Sequence, residues 1–172
     1  MISYKEKLPS ISTIMLDVDG VLTTGDILLL DDKVVRTMHS RDGYALQYAI
    51  KKGLKIIIIT GGNCTDVQER LEHLGVTEVF LKSHDKLKVY NHCKEKYGLK
   101  DEEILYMGDD IPDIPVMKKA AVAACPQDAA VDVKKMAAYQ SPFEGGKGCV
   151  RDIIEQILRV QDKWLKEEAY QW

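Results

Sequence analysis

Ile14-Met15-Leu16-Asp17-Val18-Asp19-Gly20-Val21 runs three apolar residues straight into two carboxylates and a glycine. The same grammar recurs along the chain. Ile56-Ile57-Ile58-Ile59 runs into Thr60-Gly61-Gly62, Ile104-Leu105-Tyr106-Met107 into Gly108-Asp109-Asp110, and Ala121-Val122-Ala123-Ala124 into Cys125-Pro126; Val79-Phe80-Leu81 is a weaker run. Short, nearly continuous apolar runs mark strands covered on both faces, because neither face alternates with solvent. Between them lie stripes spaced by three or four, the helical period: Ala45, Leu46, Ala49 and Ile50 in 43–52, Val67, Leu71 and Leu74 in 66–74, Leu87, Tyr90 and Cys93 or Tyr97 in 86–97. Gly53, Gly75 and Gly98 follow these stripes, where helices stop. Strand–helix alternation with short links predicts an α/β fold, a Rossmann-like three-layer α/β/α sandwich around a parallel central sheet.

Two segments depart from that rhythm. From about 26 to 39, two β-prone runs flank Asp31-Asp32-Lys33 and predict a β-hairpin that leaves the sheet after the first strand. From Val150 to about Ala169, Ile153, Ile154, Ile157, Leu158 and Val160 predict a long helix that carries Trp164, with Trp172 at the chain end packed on the core or a neighbouring subunit. The 172 residues suit one domain, 1–172.

Composition narrows the function classes. The net charge of −3 gives no global field for nucleic acid, and no apolar run is long enough to span a membrane. Cys64, Cys93, Cys125 and Cys149 form neither a C-x-x-C pair nor a disulfide framework, which predicts free thiols in a reducing cytoplasm. The N-terminus has no apolar stretch of signal-peptide length. His39, His73, His84 and His92 have no metal-ligand spacing; of these, His39 is expected nearest the pocket.

The chemistry sits where strands end. In an open parallel sheet these ends share one edge, the edge at which ligands bind. Asp17, Asp19, Asp109, Asp110 and Asp113 would gather there with the Thr60 hydroxyl. So many like charges require a cation, and an all-oxygen set suits Mg²⁺. Taken singly, each piece has an ordinary reading: a solvated Asp-x-Asp, a capping Thr, a helix-start acidic cluster, a surface Lys86. Their joint occurrence, each at a strand end or helix start, sets the pattern apart.

This pattern resembles the haloacid-dehalogenase superfamily of phosphohydrolases over roughly 11–160. The family's first motif stands as Asp17-Val18-Asp19-Gly20, its second as Thr60, its third as Lys86 and its fourth as Gly108 to Asp113. The resemblance implies that Asp17 attacks phosphorus, forming an aspartyl-phosphate, and that Asp19 is the general acid and base. It implies Mg²⁺ on the Asp17 carboxylate, the Asp19 carbonyl and Asp109, with Asp110 and Asp113 orienting those ligands. Thr60, nearby amides and Lys86 would stabilise the phosphoryl oxygens.

Thr60 lies 43 positions after Asp17, and Lys86 lies 26 after Thr60. Neither interval holds a cap domain, so the resemblance is to the capless phosphatases, which are homotetramers. Ser40-Arg41-Asp42-Gly43-Tyr44, Gly145-Gly146-Lys147-Gly148-Cys149-Val150-Arg151 and the Asp109–Met117 stretch are similar to segments of the 3-deoxy-D-manno-octulosonate 8-phosphate phosphatases. That likeness implies a phosphorylated sugar-acid substrate and lipopolysaccharide precursor synthesis. It implies substrate contacts at Asp19, Gly20, Ser40, Arg41, Asp42, Gly43, Tyr44, Thr60, Gly61, Arg70 and Lys86, with Arg41 and Arg70 facing the sugar and Arg151 reaching a neighbouring site. Gly62 departs from the pattern: many relatives have arginine there, and those acting on a nine-carbon sialic-acid-type sugar phosphate have glutamate. A nine-carbon or other small sugar phosphate, and a catalytically silent tetrameric module, stay open as alternatives.

Overall fold

Each apolar run becomes a strand of one parallel sheet in the computed structural model, which describes residues 3–30 and 33–171, with the backbone alone at 33. In chain order the elements are α1 (Tyr4–Lys7), β1 (Thr13–Leu16), the hairpin strands β2 (Leu28–Leu30) and β3 (Lys33–Val35), α2 (Ser40–Lys51), β4 (Lys55–Ile59), α3 (Thr65–His73), β5 (Glu78–Phe80), α4 (Lys86–Tyr97), β6 (Ile104–Met107), α5 (Ile114–Met117), β7 (Val122–Cys125), α6 (Val131–Met136), β8 (Tyr139–Gln140) and α7 (Cys149–Val160). The sheet order is β5-β4-β1-β6-β7-β8. β1 sits between β4 and β6, with Leu16 opposite Ile58 and Met107.

The strand period of two divides the core into two layers. Ile14, Leu16, Ile56 and Ile58 face α2, α3 and the stripe of α7, while Met15, Ile57, Ile59 and Tyr106 face α4 and the short helices α5 and α6. Ile153, Ile154, Ile157 and Leu158 of α7 are fully buried. Burying side chains of that size contributes about 1.5–3 kcal/mol each, which locks α7 across the sheet. The three-layer sandwich is therefore as the sequence predicts. Only the hairpin and α2 stand between β1 and β4, and only α3 and β5 between β4 and α4, so no cap domain covers the sheet edge.

Some boundaries differ from expectation. α2 starts at Ser40, three residues before the expected 43–52 segment, because the polar first turn carries no periodic signal. The last helix ends at Val160 rather than near Ala169. The chain there reverses: Lys163 and Trp164 amides donate to the Leu158 carbonyl at 2.7 and 3.1 Å, and Asp162 and Leu165 take positive φ. The reversal returns Trp164 onto the Tyr48 ring, 5.5 Å away and edge-on. Trp172 and the Asp31-Asp32 turn lie outside the described residues. β8 has no counterpart among the apolar runs, because a strand of two residues leaves no pattern to read. The hairpin forms a separate two-stranded sheet, and its Ile27, Leu28, Leu29, Leu30 and Val34 side chains are exposed. Among the described residues no helix is long and apolar enough to cross a membrane.

Candidate active site

The first residue beyond each central strand is pinned by one more ladder bond. Asp17 N–H donates to Met107 O, Thr60 N–H to Phe80 O and Gly108 N–H to Ala124 O, at 3.0–3.2 Å. The polar residues that follow the strands thus start from a fixed edge. Past Asp17 the chain turns sharply: the amides of Val21, Leu22 and Thr23 all donate to Val18 O. Gly20 sits at φ +81°, and any Cβ there would enter the Asp109 carboxylate. Only glycine lets the two acidic loops approach so closely.

Lys86 is the first residue of α4, whose start is capped by the Asp85 carboxylate accepting from Lys88 N–H at 3.0 Å. Its ammonium donates to Asp113 Oδ1 at 2.7 Å and lies 3.0 Å from Asp17 Oδ2. Asp113 is itself saturated. Its Oδ1 also accepts from the Tyr106 hydroxyl at 2.6 Å, and its Oδ2 accepts from the amides of Asp109 and Asp110 at 3.1 and 3.3 Å. One buried carboxylate therefore shapes the Asp109-Asp110 loop and aims the lysine.

Carboxylate oxygens of Asp17, Asp109 and Asp113 come within 4.8 Å of one another. Burial, then the Asp113 charge, pushes Asp17 up to about 6 despite Lys86. Burial, then Asp17 and Asp113, pushes Asp109 up to about 7. Burial alone would lower Lys86, but Asp17 and Asp113 outweigh it and hold the ammonium above the ordinary lysine value. Burial and Asp113 keep Tyr106 a protonated donor. A cluster in which two acids resist ionisation beside one lysine has the charge deficit that a hard divalent cation fills. Since Asp113 has spent its lone pairs, Asp17 and Asp109 are the carboxylates left to face such an ion.

A cavity of about 460 Å³ opens over this edge. Asp17, Asp19, Gly20, Thr60, Gly61, Lys86, Asp109, Asp110 and Asp113 all line it, so the four motif regions converge. Thr60 is buried, and its hydroxyl accepts from Gly62 N–H at 3.0 Å.

The remaining expected residues lie elsewhere. Ser40, Arg41, Asp42, Gly43 and Tyr44 occupy the first turns of α2 and do not line this cavity. Arg41 lines a second groove of about 420 Å³ between α2 and α7, with His39, Lys147 and Arg151. Asp42 is buried, and its carboxylate accepts from Gly148 and Arg151 amides at 3.1 and 2.7 Å; it latches the start of α7. Tyr44 stacks on Tyr48, with the Arg151 guanidinium 5.6 Å from its ring centre. Arg70, on α3, lines a groove with Arg36 and Cys64. The histidine expectation is corrected: His84, not His39, lines the cavity, because the Lys82 residue at φ 53° folds the loop after β5 back over the edge.

Sequence reasoning passed over four participants. Tyr106 read only as part of an apolar strand. Ser83 and His84 sit in a loop with no motif. Arg36, at the hairpin exit, forms a two-point ion pair with Asp19, Nε to Oδ1 at 2.6 Å and Nη2 to Oδ2 at 3.3 Å.

The chain resembles known proteins in keeping with this geometry. The family model described as haloacid dehalogenase-like hydrolase matches residues 34–121. The Escherichia coli K12 3-deoxy-D-manno-octulosonate 8-phosphate phosphatase KdsC is 32% identical over 158 residues, 91% of this chain and 84% of that protein. A crystal structure of the Yersinia pestis phosphatase of the same name superposes with a TM-score of 0.91 at 30% identity, covering 93% of this chain and 87% of the other. The Moraxella catarrhalis phosphatase, solved with magnesium ion, phosphate ion and KDO, superposes with a TM-score of 0.91 at 27% identity, covering 94% and 93%.

Proposed function

The chain belongs to the haloacid dehalogenase-like hydrolase family, and we propose that within it the chain hydrolyses 3-deoxy-D-manno-octulosonate 8-phosphate to the free sugar acid and phosphate. It is a phosphoric monoester hydrolase, and Mg²⁺ is its cofactor. The observation that carries the substrate reading is the likeness in sequence and structure to phosphatases of that name over nearly the whole chain. The convergence of Asp17, Asp19, Thr60, Lys86 and Asp109 on one cavity supports the chemistry.

Asp17 attacks phosphorus while the bond from phosphorus to the sugar oxygen breaks, leaving an aspartyl-phosphate on its carboxylate. Asp19 delivers its proton to the departing oxygen. In the second half-reaction Asp19 takes a proton from water, whose oxygen displaces Asp17 from phosphorus. Thr60 and Lys86 donate to the phosphoryl oxygens, where charge accumulates. Lys86 is aimed for this by Asp113, which Tyr106 holds in turn. Asp17 and Asp109, with the Asp19 carbonyl, would hold Mg²⁺. When bound, the ion supplies charge neutralisation that lets the phosphate dianion approach the acidic edge.

The exposed hairpin supports a homotetramer in which Ile27, Leu28, Leu29, Leu30 and Val34 are covered by other subunits. Such packing would close an otherwise open cavity and supply contacts that a capless subunit lacks. The direct test is steady-state turnover of eight- and nine-carbon keto-sugar-acid phosphates with Mg²⁺. The eight-carbon 8-phosphate is expected to give the highest kcat/KM. A higher value for the nine-carbon compound would reassign the sugar, and equal turnover of neutral sugar phosphates would remove sugar-acid selection altogether.

A further inference from the structure

The acid that should face the leaving oxygen is already engaged. Both oxygens of Asp19 are held by Arg36, whose side chain is only 9% exposed. Arg36 is delivered by the exit of the hairpin, so it is fixed independently of the strand-end loops. It also lines two grooves outside the catalytic cavity, one of which it shares with Arg70 and with the acidic Asp66. The guanidinium therefore stands at the boundary between the phosphate pocket and the space beyond it.

Gly62 makes room for this arrangement. A Cβ at that position would lie 3.2 Å from Asp19 Oδ2, 3.3 Å from the Thr60 hydroxyl oxygen and 3.7 Å from Arg36 Nη2. Any larger side chain would compete with Arg36 for the same volume. The bare backbone at 62 and the buried guanidinium at 36 are complementary halves of one feature.

We propose that Arg36 is a specificity-determining residue: in the free protein it occupies Asp19, and a second anionic group on the substrate draws it away, freeing Asp19 to turn to the leaving oxygen. The inference rests on the sugar-acid reading above, since it requires a substrate carrying a carboxylate as well as a phosphate. The exchange is between like partners, one carboxylate for another, so the two-point geometry of the guanidinium is conserved. A phosphate ester without a second anion has nothing to offer Arg36, and Asp19 stays engaged.

The experiment compares wild type, Arg36→Met and Arg36→Lys on the eight-carbon sugar-acid phosphate and on its C1 amide, with Mg²⁺ present and melting temperature as the check on folding. Wild type is expected to prefer the acid. In Arg36→Met, kcat/KM on the acid should fall about 10- to 100-fold, the loss expected for a charge-assisted hydrogen bond, while kcat on the amide rises. Arg36→Lys, which keeps the charge without the fork, should fall between them and covers the case in which the methionine variant does not fold. A parallel fall on both compounds, in whichever variant folds, would show a structural role and overturn the proposal. Full retention of the acid preference in a folded variant would also overturn it, while leaving the assigned activity standing. A wild type with no preference for the acid would overturn the activity reading itself, and the role of Arg36 with it.

Discussion

Lys86 and Asp17 form an ion pair of 3.0 Å, with side chains only 7% and 9% exposed. Neither is placed by chance of a loop: Asp17 is locked to β6 through its own amide, and Lys86 begins a capped helix. The pair brings the attacking group and the cation that offsets the acidic edge into contact before substrate arrives.

Removing that cation should be costly. Lys86→Met leaves Asp17, Asp109 and Asp113 facing one another in a buried site, and breaking such a pair typically costs about 3–5 kcal/mol. The metal-free variant is expected to melt well below wild type at neutral pH, and phosphate release should drop to near background. An unchanged melting temperature would show that the carboxylates are neutralised by other means.

Asp17→Asn separates chemistry from folding. The amide is not a nucleophile, so turnover should fall ~10³-fold or more. Lys86 keeps its Asp113 bond, so circular dichroism and quaternary state should match wild type. Beryllofluoride should decorate wild type and not the variant. Near-normal rates in the folded variant would end the assignment of Asp17.

The raised acids predict how Mg²⁺ and pH are linked. Asp17 at about 6 and Asp109 at about 7 lie above ordinary carboxylate values near 4. Between those limits the metal-free native state holds more protons than the unfolded chain, so their contribution to stability falls as pH rises from about 4 to about 7. Mg²⁺ binds the ionised forms and competes with those protons. The rise in melting temperature on adding MgCl₂ should therefore be small near pH 5 and large near pH 8. An equal rise at both ends would contradict binding at this acidic pair.

The hairpin offers a test of assembly. Leu29 is 73% exposed. Leu29→Glu should leave the subunit folded but shift sedimentation toward smaller species. It should also weaken selection among sugar-acid phosphates more than hydrolysis of a generic aryl phosphate. A fully selective monomer would show that one subunit suffices.

The sheet and the motif convergence were readable because both depend on short-range pattern: apolar runs buried on two faces, then polar residues one step beyond. Lys86 was legible as a helix start for the same reason. Arg36 and Tyr106 were not. Arg36 acts across 17 positions through a hairpin whose direction no local rule sets. Tyr106 hides a polar role inside an apolar strand. Asp42 and its neighbours were expected at the substrate because of the company they keep in the sequence. In this subunit Asp42 instead neutralises two unpaired amides at the start of α7, a role set by tertiary packing over more than a hundred positions.

The turn after β1 rests on residues from far along the polypeptide. Gly146 N–H donates to Val21 O, and a Cβ at Gly145 would meet the Gly20 carbonyl. On a translating ribosome, the emerging amino-terminal half can pair its first strands, but the turn that follows Asp17 lacks its Gly145-Gly146 support until 145–151 has left the exit tunnel. The last support of the nucleophile's turn is thus acquired late in synthesis.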